Sequence, residues 1–571
     1  MAPGEPRWTG LNAPDFTSVL ELLQGQARRR PEATALIGPE GSPTTYGRLA
    51  GSVETTARAL RALGLGTSDR VAVVLANGPE MATAFLALSA NGVFVPLNPA
   101  YRRQEFDFLL SDVGARALIV ASGSDSPARS AARSLGLPVL EAAIDPDGGL
   151  SISGPRIGGA SGDAFGGAED VALVLYTSGM TSKPKAVPLT HRAICTAAHN
   201  IAVALELEPK DRCMDVMPLF HAHGLIIALL SSLTAGGSTI CSRGFSPETF
   251  FEYLEAFRPT WYTSAPTIHH AVLQEAPAHR KLLERRDVRF IRSSAAFLPA
   301  AVRAGLEREF GAPVIEAYGM TECPQITSNP MAEGRRRTGS VGLAAGPEVA
   351  ILNGDGDPAA PGERGEIVIR GPAVTRGYDN QAAAHESSLA GDWFRTGDQG
   401  VLSPDGYLSL TGRLKDIINS GGEKIAPSEI DEVLLSHPAV FEAVAFGVPH
   451  PTLGEDVAAA VVLRPDISAT EKNLRDFVAT RLAGYKVPTQ ILIIPEIPKG
   501  PTGKLKRTGL AEILGLVAPG QGHEVPLPGR PADEPDSVRS RFAKMWSDVL
   551  KVDTPEENSH FFRSGGDSVQ A

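Results

Sequence analysis

The sequence contains few cysteines, and none of them forms a close pair. The four cysteines, Cys195, Cys213, Cys241 and Cys323, are scattered over 571 residues, so the paired spacing of zinc-binding modules is absent. Sparse cysteines are typical of proteins in a reducing compartment. We therefore predict a cytoplasmic location and expect no structural zinc.

Long apolar runs and an excess of positive charge are also missing. The longest apolar run, around Gly224 to Leu230, is far shorter than the ~20 residues that span a bilayer. The N-terminus, MAPGEPRWTG, lacks the apolar core of a signal peptide. The formal net charge of −11 argues against nucleic acid or an anionic membrane as the main partner.

What is present is an alternation of strand and helix patterns. Apolar runs such as VAVVLAN at 71–77 and ALIVAS at 117–122 alternate with helical periodicity, and the pattern continues through 171–320. This alternation predicts an α/β fold with a mostly parallel sheet and helices on both faces. Between 340 and 411, short alternating strands with Gly and Pro turns indicate a β-rich subdomain.

The chain length and its composition changes predict four segments. We expect a large domain of stacked α/β sheets with the β-rich subdomain at 1–412, and a small mobile α+β domain at 413–516. A Pro- and Gly-rich linker follows at 517–535. Residues 536–571 begin with an amphipathic helix, but roughly 36 residues are too few to bury a core alone.

One segment, YTSGMTSKPKA at 176–186, has the donors that a polyphosphate needs. It follows a buried strand pattern and combines hydroxyls, backbone N–H groups and two lysines. It is not a Walker A loop, because GxxxxGK[ST] is absent. Taken alone, it could also be a polar surface turn.

Four further motifs follow in order: YGMTE at 318–322, WFRTGD at 393–398, GRLKD at 412–416 leading into SGGEKIAPSEID, and PKGPTGKLKR at 498–507. With this order and spacing, residues 15–515 resemble the acyl-adenylate-forming superfamily, which includes acyl-CoA synthetases, adenylation domains of nonribosomal peptide synthetases and beetle luciferases. The resemblance implies an enzyme that uses ATP to activate a carboxylic acid as an acyl-adenylate, releases pyrophosphate and transfers the acyl group to a thiol.

The resemblance also implies roles for individual residues. The β- and γ-phosphates would be held by Thr177, Ser178, Gly179, Thr181 and Lys185. Glu322 would bind Mg²⁺, which neutralises phosphate charge, and Thr321 would touch the α-phosphate.

At the nucleoside, Tyr318 would stack on adenine, Asp398 would accept hydrogen bonds from both ribose hydroxyls, and Arg413 would lie beside the ribose. Lys504 would bridge the substrate carboxylate and the α-phosphate, where a cation lowers the barrier between two anions. Individually, Asp398 could close a turn and Lys504 could be solvated. Lys506 and Arg507 are expected to be surface charges.

The phosphate loop departs from the usual family pattern, TSGTTGxPKG. Met180, Ser182 and Ala186 replace a threonine and two glycines. If a replaced glycine needs positive φ, each such site costs about 1 kcal/mol. The retained hydroxyls and lysine argue against lost activity.

The stretch PLFHAHG at 218–224 bears on the acid. Adenylation domains for α-amino acids usually carry an ammonium-pairing Asp there, whereas this stretch holds histidines. Together with WYTSAPTIHH, RFIRSSAAFLP and EAYGMTE, it looks most like plant and fungal oxalyl-CoA synthetases, which implies a small, non-amino carboxylic acid. The pocket would be lined by His221, His223, Ser293, Ser294 and Ala295, although His223 could also be a buried core histidine.

The thiol acceptor has two candidate signals. GRLKD implies a hinge at Lys415, about which the small domain would rotate, and Gly421 and Gly422 would face a pantetheine arm. FFRSGGDSV at 561–569 resembles the phosphopantetheine site of carrier proteins, with Ser568 as the residue loaded by a phosphopantetheinyl transferase. A helix N-cap is the alternative for Ser568.

These signals leave three functions open. The first is an adenylation domain that loads its own carrier, and the second is a free acyl-CoA synthetase of the oxalyl-CoA type that uses CoA. The third is a catalytically inactive nucleotide-binding scaffold, which the retained Lys504, Asp398, Glu322 and Arg413 disfavour.

Overall fold

The computed structural model describes residues 8–144, 149–158, 165–177, 184–379, 381–465, 467–499, 505, 507 and 509–516. These residues form two compact units. The first runs to Leu414 and includes Lys499 and Leu505, and the second comprises Lys415–Pro498 with 507 and 509–516. Within this part of the chain, no helix combines the length and apolarity needed to cross a membrane.

Most α-helices of the first unit start where the sequence places a hydroxyl or a proline. Ser18, Thr45, Thr190 and Ser246 each accept a hydrogen bond from a backbone N–H of the following turn, which satisfies an otherwise unpaired donor. The α-helices are α1 (Val19–Arg29), α2 (Tyr46–Ala62), α3 (Pro79–Asn91), α4 (Arg103–Asp112), α5 (Pro127–Ser134), α6 (His191–Ala204), α7 (Ser231–Ala235), α8 (Pro247–Phe257), α9 (Pro266–Glu275), α10 (Arg280–Leu283), α11 (Ala300–Phe310) and α12 (Ala382–Ser387).

The strands of the first unit follow the apolar runs. They are β1 (Thr34–Ile37), β2 (Pro43–Thr45), β3 (Arg70–Val74), β4 (Val93–Pro96), β5 (Ala117–Ala121), β6 (Val139–Ile144), β7 (Leu150–Ser153), β8 (Val171–Tyr176), β9 (Ala186–Thr190), β10 (Arg212–Asp215), β11 (Ser238–Cys241), β12 (Trp261–Ser264), β13 (Phe290–Ser293), β14 (Val314–Met320), β15 (Cys323–Ser328), β16 (Gly342–Ala344), β17 (Glu348–Leu352), β18 (Arg364–Arg370), β19 (Leu389–Ala390), β20 (Trp393–Leu402) and β21 (Tyr407–Arg413).

Two sheets organise this unit. A seven-stranded sheet has the order β7-β6-β5-β3-β4-β8-β9, parallel from β6 to β8 and antiparallel at both edges. The second sheet follows the path β17-β18-β20-β21-β16-β15-β14-β13-β12-β10-β11-β1-β2. It is parallel from β14 to β1 and antiparallel from β15 to β17. The β-rich subdomain is therefore a continuation of the parallel sheet through β14 and β15.

Helix α3 shows where the core of the first unit lies. Residues 81–91 are all buried, and a helix that is apolar on every side belongs in a protein interior. One apolar cluster joins α3 to both sheets, through Phe94 of β4, Ile326 of β15 and Phe394 of β20.

The second unit is a smaller α+β structure. Its strands are β22 (Ile418–Ser420), β23 (Glu423–Ile425), β24 (Val440–His450), β25 (Gly454–Leu463) and β26 (Gln490–Ile493), and its α-helices are α13 (Pro427–Leu435), α14 (Glu471–Ala479) and α15 (Leu510–Ile513). The sheet has the order β23-β22-β25-β24, with β26 parallel to β25. Its own core includes Ile430, Leu434, Val457, Val461 and Leu474.

Candidate functional site

The hairpin of β8 and β9 carries the phosphate-loop motif. At its base, the backbone N–H of Thr177 donates to the carbonyl of Lys185 at 3.0 Å, and the N–H of Lys185 donates to Thr177 Oγ1 at 3.3 Å. Ser178, Gly179 and Thr181 lie outside the described residues. The structure thus brings Thr177 and Lys185 together at the two ends of the loop.

Ala186 is the one departure from the family loop pattern that the structure describes, because Met180 and Ser182 lie outside the described residues. It opens β9, is fully buried and pairs in register with Tyr176. Its φ is not among the positive values of this chain. The left-handed strain considered for this position therefore does not arise there.

Tyr318 of β14 is linked by hydrogen bonds to Asp398 and, through it, to Arg413, which lie on the neighbouring strands β20 and β21. Asp398 of β20 and Arg413 of β21 face each other in register. The Tyr318 hydroxyl donates to Asp398 Oδ2 at 2.7 Å, and Arg413 Nε donates to Asp398 Oδ1 at 2.9 Å. Each carboxylate oxygen keeps a further lone pair for a ribose hydroxyl.

Burial keeps the phenol of Tyr318 protonated. Asp398 and Tyr318 are 8% and 7% exposed. Desolvation, with the charge and hydrogen bond of Asp398, raises the pKa of Tyr318 well above its usual value. The phenol therefore stays a neutral donor that orients the Asp398 carboxylate.

Glu322 lies in the two-residue turn between β14 and β15, next to the half-buried Thr321. The Tyr378 hydroxyl donates to Glu322 Oε1 at 2.6 Å. Burial raises the pKa of the Glu322 carboxyl, and the Tyr378 hydrogen bond and the charges of Arg413 and Lys185 oppose that rise. A buried carboxylate with a raised pKa gains from a nearby cation, so its chemistry fits a hard divalent ion such as Mg²⁺.

A row of polar residues crosses three neighbouring strands of the parallel sheet. Asp215 of β10, Thr263 of β12 and Arg292 of β13 are register partners, so their side chains lie on one face. All three are buried, and Arg292 is 0% exposed. A fully buried arginine within a strand is rare unless it has a charged partner.

The guanidinium of Arg292 has neutral partners. It donates to Ser294 Oγ at 2.8 Å, to Gln325 Oε1 at 3.0 Å and to Thr263 Oγ1 at 3.4 Å. His223 Nε2 lies 2.7 Å from the same Thr263 hydroxyl. Desolvation lowers the pKa of Arg292 to about 9, so the side chain remains charged at neutral pH.

The other predicted acid-binding residues take different positions. His221 packs its ring 4.8 Å from that of Phe220 and is half-buried. Ser293 points to the opposite face from Arg292 and Ser294 and lies in register with Glu316. Ala295 has φ +79°, an uncommon left-handed conformation that concentrates at functional sites.

The second unit contains the two glycines predicted to face the pantetheine arm and, separately, a cluster of charged side chains around Arg507. Gly421 and Gly422, at φ +59° and +93°, make the two-residue turn of the β22–β23 hairpin, for which positive φ favours glycine. Arg507 donates to Asp431 Oδ2 at 2.5 Å and to the carbonyl of Ala445.

The interpretation of Arg507 as a surface charge is wrong. Its side chain is 20% exposed, and besides the pair with Asp431 its Nε lies 3.9 Å from Asp416. Two carboxylates that are distant in sequence converge on it, which a basic run such as KLKR does not indicate. Lys504 and Lys506 lie outside the described residues.

Two family models match this chain. The model described as AMP-binding enzyme matches residues 23–379, and the model described as AMP-binding enzyme C-terminal domain matches residues 429–504. The chain belongs to the AMP-binding enzyme family. Both the predicted superfamily and the predicted α/β fold with a small C-terminal domain are thereby confirmed.

Relatives of this AMP-binding enzyme are acid–CoA ligases. An oxalate–CoA ligase of Arabidopsis thaliana is 39% identical over 508 residues, which cover 87% of this chain and 99% of the relative. A sulfoacetate–CoA ligase of Cupriavidus necator is 36% identical, covering 87% and 97%. The crystal structure of ATP-bound MatB from Rhodopseudomonas palustris superimposes with a TM-score of 0.79 at 28% identity, covering 87% and 98%.

The enzyme is an AMP-forming acid–thiol ligase, and its chemistry passes through an acyl-adenylate. Two of its site residues escaped the sequence reasoning. Arg292 had a readable signal, because an arginine inside the apolar pattern RFIRS is unusual for a buried strand. Tyr378 had none, because only the folded chain brings it to Glu322.

Proposed function

We propose that this enzyme activates a small acid that carries a second anionic group and transfers its acyl group to the thiol of CoA. The observation that supports the acid class is Arg292. Among the described residues, the partners of its buried guanidinium are a serine, a glutamine and a threonine rather than a carboxylate, and its Nε has no hydrogen-bond acceptor.

An anionic ligand would give the buried guanidinium of Arg292 the negatively charged partner that it lacks. A buried charge carries a large desolvation cost unless it is paired. A carboxylate or sulfonate beside Arg292 gives it a charge-assisted hydrogen bond, and such bonds are about twice as strong as neutral ones. His223 and Ser294, linked to the same network, would orient the acid.

The names of the relatives are consistent with this class. Oxalate and sulfoacetate, named for two of them, are two-carbon acids with a second anionic group. The proposal for this chain places the reacting carboxylate toward the nucleotide and the second anion toward Arg292. Oxalate is the first acid to test.

The nucleotide would be held by the residues that the family motifs indicate. Tyr318 would stack on adenine, and Asp398 would accept the ribose hydroxyls, with Arg413 beside them. Thr321 would contact the α-phosphate, and Lys504 would bridge it to the reacting carboxylate. Thr177, Ser178, Gly179, Thr181 and Lys185 would hold the other phosphates.

Magnesium, when bound, would neutralise charge on the leaving pyrophosphate. Glu322 is the residue that would hold it, and its buried, hydrogen-bonded carboxylate supports this assignment.

For the thiol, CoA is the better supported acceptor, because the named relatives are CoA ligases over nearly their whole length. A pantetheine arm on Ser568 of a carrier in cis at 536–571, behind the linker 517–535, is the second candidate, since FFRSGGDSV resembles a carrier site. CoA and a loaded carrier present the same terminal thiol. Residues 517–571 lie outside the described part of the chain.

The small domain, at 413–516, would alternate between two states by rotating about Lys415. The division of the structure between Leu414 and Lys415 supports this hinge position. Lys504 would act in the first state, and the Gly421–Gly422 turn would face the pantetheine arm in the second. Lys415→Pro, which fixes φ near −65°, should preserve one half-reaction and impair the other.

A cytoplasmic location completes the proposal. The four cysteines are buried and none forms a disulfide, as is usual in reducing compartments.

The test is acid-dependent pyrophosphate exchange with oxalate, sulfoacetate, acetate, an aryl acid and an α-amino acid, followed by product analysis with CoA. The proposal expects a clear preference for acids with a second anion and formation of the acyl-CoA. Preference for acetate or an amino acid would overturn the acid class.

The acceptor is tested separately. The protein is incubated with CoA and a phosphopantetheinyl transferase, and its intact mass is compared with that of Ser568→Ala. Mass gain and acyl loading at Ser568, together with poor turnover of free CoA, would replace CoA by the carrier as the acceptor.

A further inference from the structure

Tyr378 occupies a position between two groups with proposed roles toward Mg²⁺ and ATP. Its hydroxyl donates to Glu322 Oε1 at 2.6 Å, and its ring carries the ammonium of Lys185 at 4.2 Å from the centroid. The same side chain therefore contacts the carboxylate proposed for the metal and the lysine proposed for the phosphates. No motif of the sequence includes it.

The backbone around Tyr378 is fixed to both of these elements. The N–H of Thr375 donates to the carbonyl of Glu322 at 2.8 Å, and the N–H of Asp379 donates to the carbonyl of Ala186 at 3.0 Å. Asp379 also pairs with Arg70 at 2.6 Å. The segment is thus attached on one side to the Glu322 turn and on the other to β9, directly after the phosphate loop.

The backbone conformation of the segment that carries Tyr378 requires a glycine at position 377. Its φ is +133°, and a Cβ at this position would lie 1.9 Å from His385 Nδ1. The ring of Tyr378 packs edge-on against Phe394 at 6.0 Å. Backbone attachment and ring packing together leave the phenol little freedom to turn away from Glu322.

We propose that Tyr378 is a positioning residue, whose hydroxyl holds Glu322 for Mg²⁺ while its ring holds Lys185 for the phosphates of ATP. This inference rests on the proposed roles of Glu322 and Lys185. The hydroxyl occupies Oε1, which leaves Oε2 to face a metal. The ring face attracts the ammonium through its quadrupole, an interaction worth ~0.5–2 kcal/mol.

Two substitutions separate these contributions. Tyr378→Phe removes the hydroxyl and keeps the ring, so ATP affinity with Mg²⁺ should fall about tenfold, while affinity in EDTA stays unchanged. Tyr378→Leu also removes the ring, so affinity in EDTA should fall as well, by about threefold. Both are measured by calorimetry without the acid, so that no turnover occurs.

Tyr407→Phe is the matched control. Tyr407 is buried, donates its hydroxyl to a backbone carbonyl, that of Arg335, and carries the guanidinium of Arg337 over its ring at 4.0 Å. Its loss should leave ATP affinity unchanged with Mg²⁺ and with EDTA. An equal loss in this variant would reduce the Tyr378 effect to general destabilisation and overturn the inference.

Glu322→Gln separates failure of the inference from failure of the proposed function. If Glu322→Gln lowers the Mg²⁺-dependent affinity but Tyr378→Phe does not, the role of Tyr378 is refuted. Tighter Mg·ATP binding by Tyr378→Phe would also refute it, since the hydroxyl would then compete with the metal. If Glu322→Gln has no effect, the metal-binding role of Glu322 fails, and the inference fails with it.

Discussion

The nucleotide end and the acid end of the site satisfy their charges in different ways. At the nucleotide end, Asp398 is held by Tyr318 and Arg413, and Glu322 is held by Tyr378. At the acid end, Arg292 is buried among hydroxyl and amide groups, and the described residues supply no carboxylate to pair with it. The Asp398 carboxylate has a cationic hydrogen-bond partner in Arg413, whereas the hydrogen-bond partners of the Arg292 guanidinium are all neutral.

We propose that this difference reflects the ligand that each end would bind. Mg²⁺ would balance only about half of the charge of ATP, so the nucleotide end would need cations such as Lys185 and Arg413 as well as oriented donors and acceptors. The acid end has a fixed cation away from bulk water, where an anion is stabilised more strongly than at the surface. Such a pocket would select acids by charge, since a neutral acyl tail would leave its cation unpaired.

Lys504 is expected to serve both ends, so its loss should have the largest effect and should not depend on the acid. Lys504→Ala should lower pyrophosphate exchange about 100- to 1000-fold with every acid that is accepted. Transfer from a supplied acyl-adenylate should stay nearly intact. Equal damage to both half-reactions, measured in single turnover, would contradict the assignment.

Arg292 should matter for one class of acid only. Arg292→Met should lower kcat/KM for oxalate about 100-fold, because the second carboxylate loses its buried partner. Activity with acetate should change little, and so should the Tm, since an uncompensated buried charge contributes no stability. A similar loss with acetate would show that Arg292 is structural.

Arg289 provides the matched control three residues earlier. It pairs with the buried Asp211 at 2.8 Å, at the opposite end of β13 from Ser294. Arg289→Met should lower the Tm because it leaves a buried carboxylate without its partner. The preference for oxalate over acetate should be unchanged.

The sequence predicts some parts of the site and misses others. The register pair Asp398–Arg413 lies inside two motifs, so their proximity could be expected from the chain. Arg292 lies in a strand whose serines drew attention, and its importance follows from burial without a carboxylate. Tyr378 and the Asp416–Arg507–Asp431 cluster depend on contacts between distant segments, which periodicity and composition do not encode.

Asp398 should show how much the nucleotide end depends on its internal pairs. Asp398→Asn keeps the shape but removes the charge that Arg413 and the ribose hydroxyls share, so Mg·ATP affinity should fall about 10- to 100-fold. Tyr318→Phe removes one donor and should cost about threefold to tenfold. The preference for oxalate over acetate should stay the same in both variants. A changed preference would mean that residues of the nucleotide end also affect binding of the acid.

The pH profile distinguishes the two acid classes in the unmodified enzyme. Burial lowers the pKa of Arg292 to about 9, so the free enzyme loses this charge as pH rises through that value. Because kcat/KM reports the free enzyme, the ratio of kcat/KM for oxalate to that for acetate should fall about tenfold from pH 8 to pH 10. The ratio should be flat in Arg292→Met, and a flat ratio in the unmodified enzyme would count against the role of Arg292.

Glu316 lies two residues before Tyr318 and in register with Ser293. Burial, reinforced by Glu307 and opposed by Arg303, raises its pKa to about 7 from 4.5. The folded state therefore holds this proton more tightly than the unfolded state, and stability should fall as pH rises from 4.5 to 7. The effect of Glu316 on activity should be the smallest among the substituted residues.

Glu316→Gln is neutral at every pH, so it should match the unmodified protein at pH 5 and be more stable by about 2 kcal/mol at pH 8. Scanning calorimetry at both pH values measures the difference in stability. Glu40→Gln, in an exposed loop, is the control, and it should leave the stability unchanged at pH 5 and at pH 8. Because Glu316 belongs to neither the Asp398 group nor the Arg292 group, kcat/KM should be unaffected for oxalate and for acetate. A loss for both acids would assign Glu316 to the nucleotide end, and a loss for oxalate alone would assign it to the acid end.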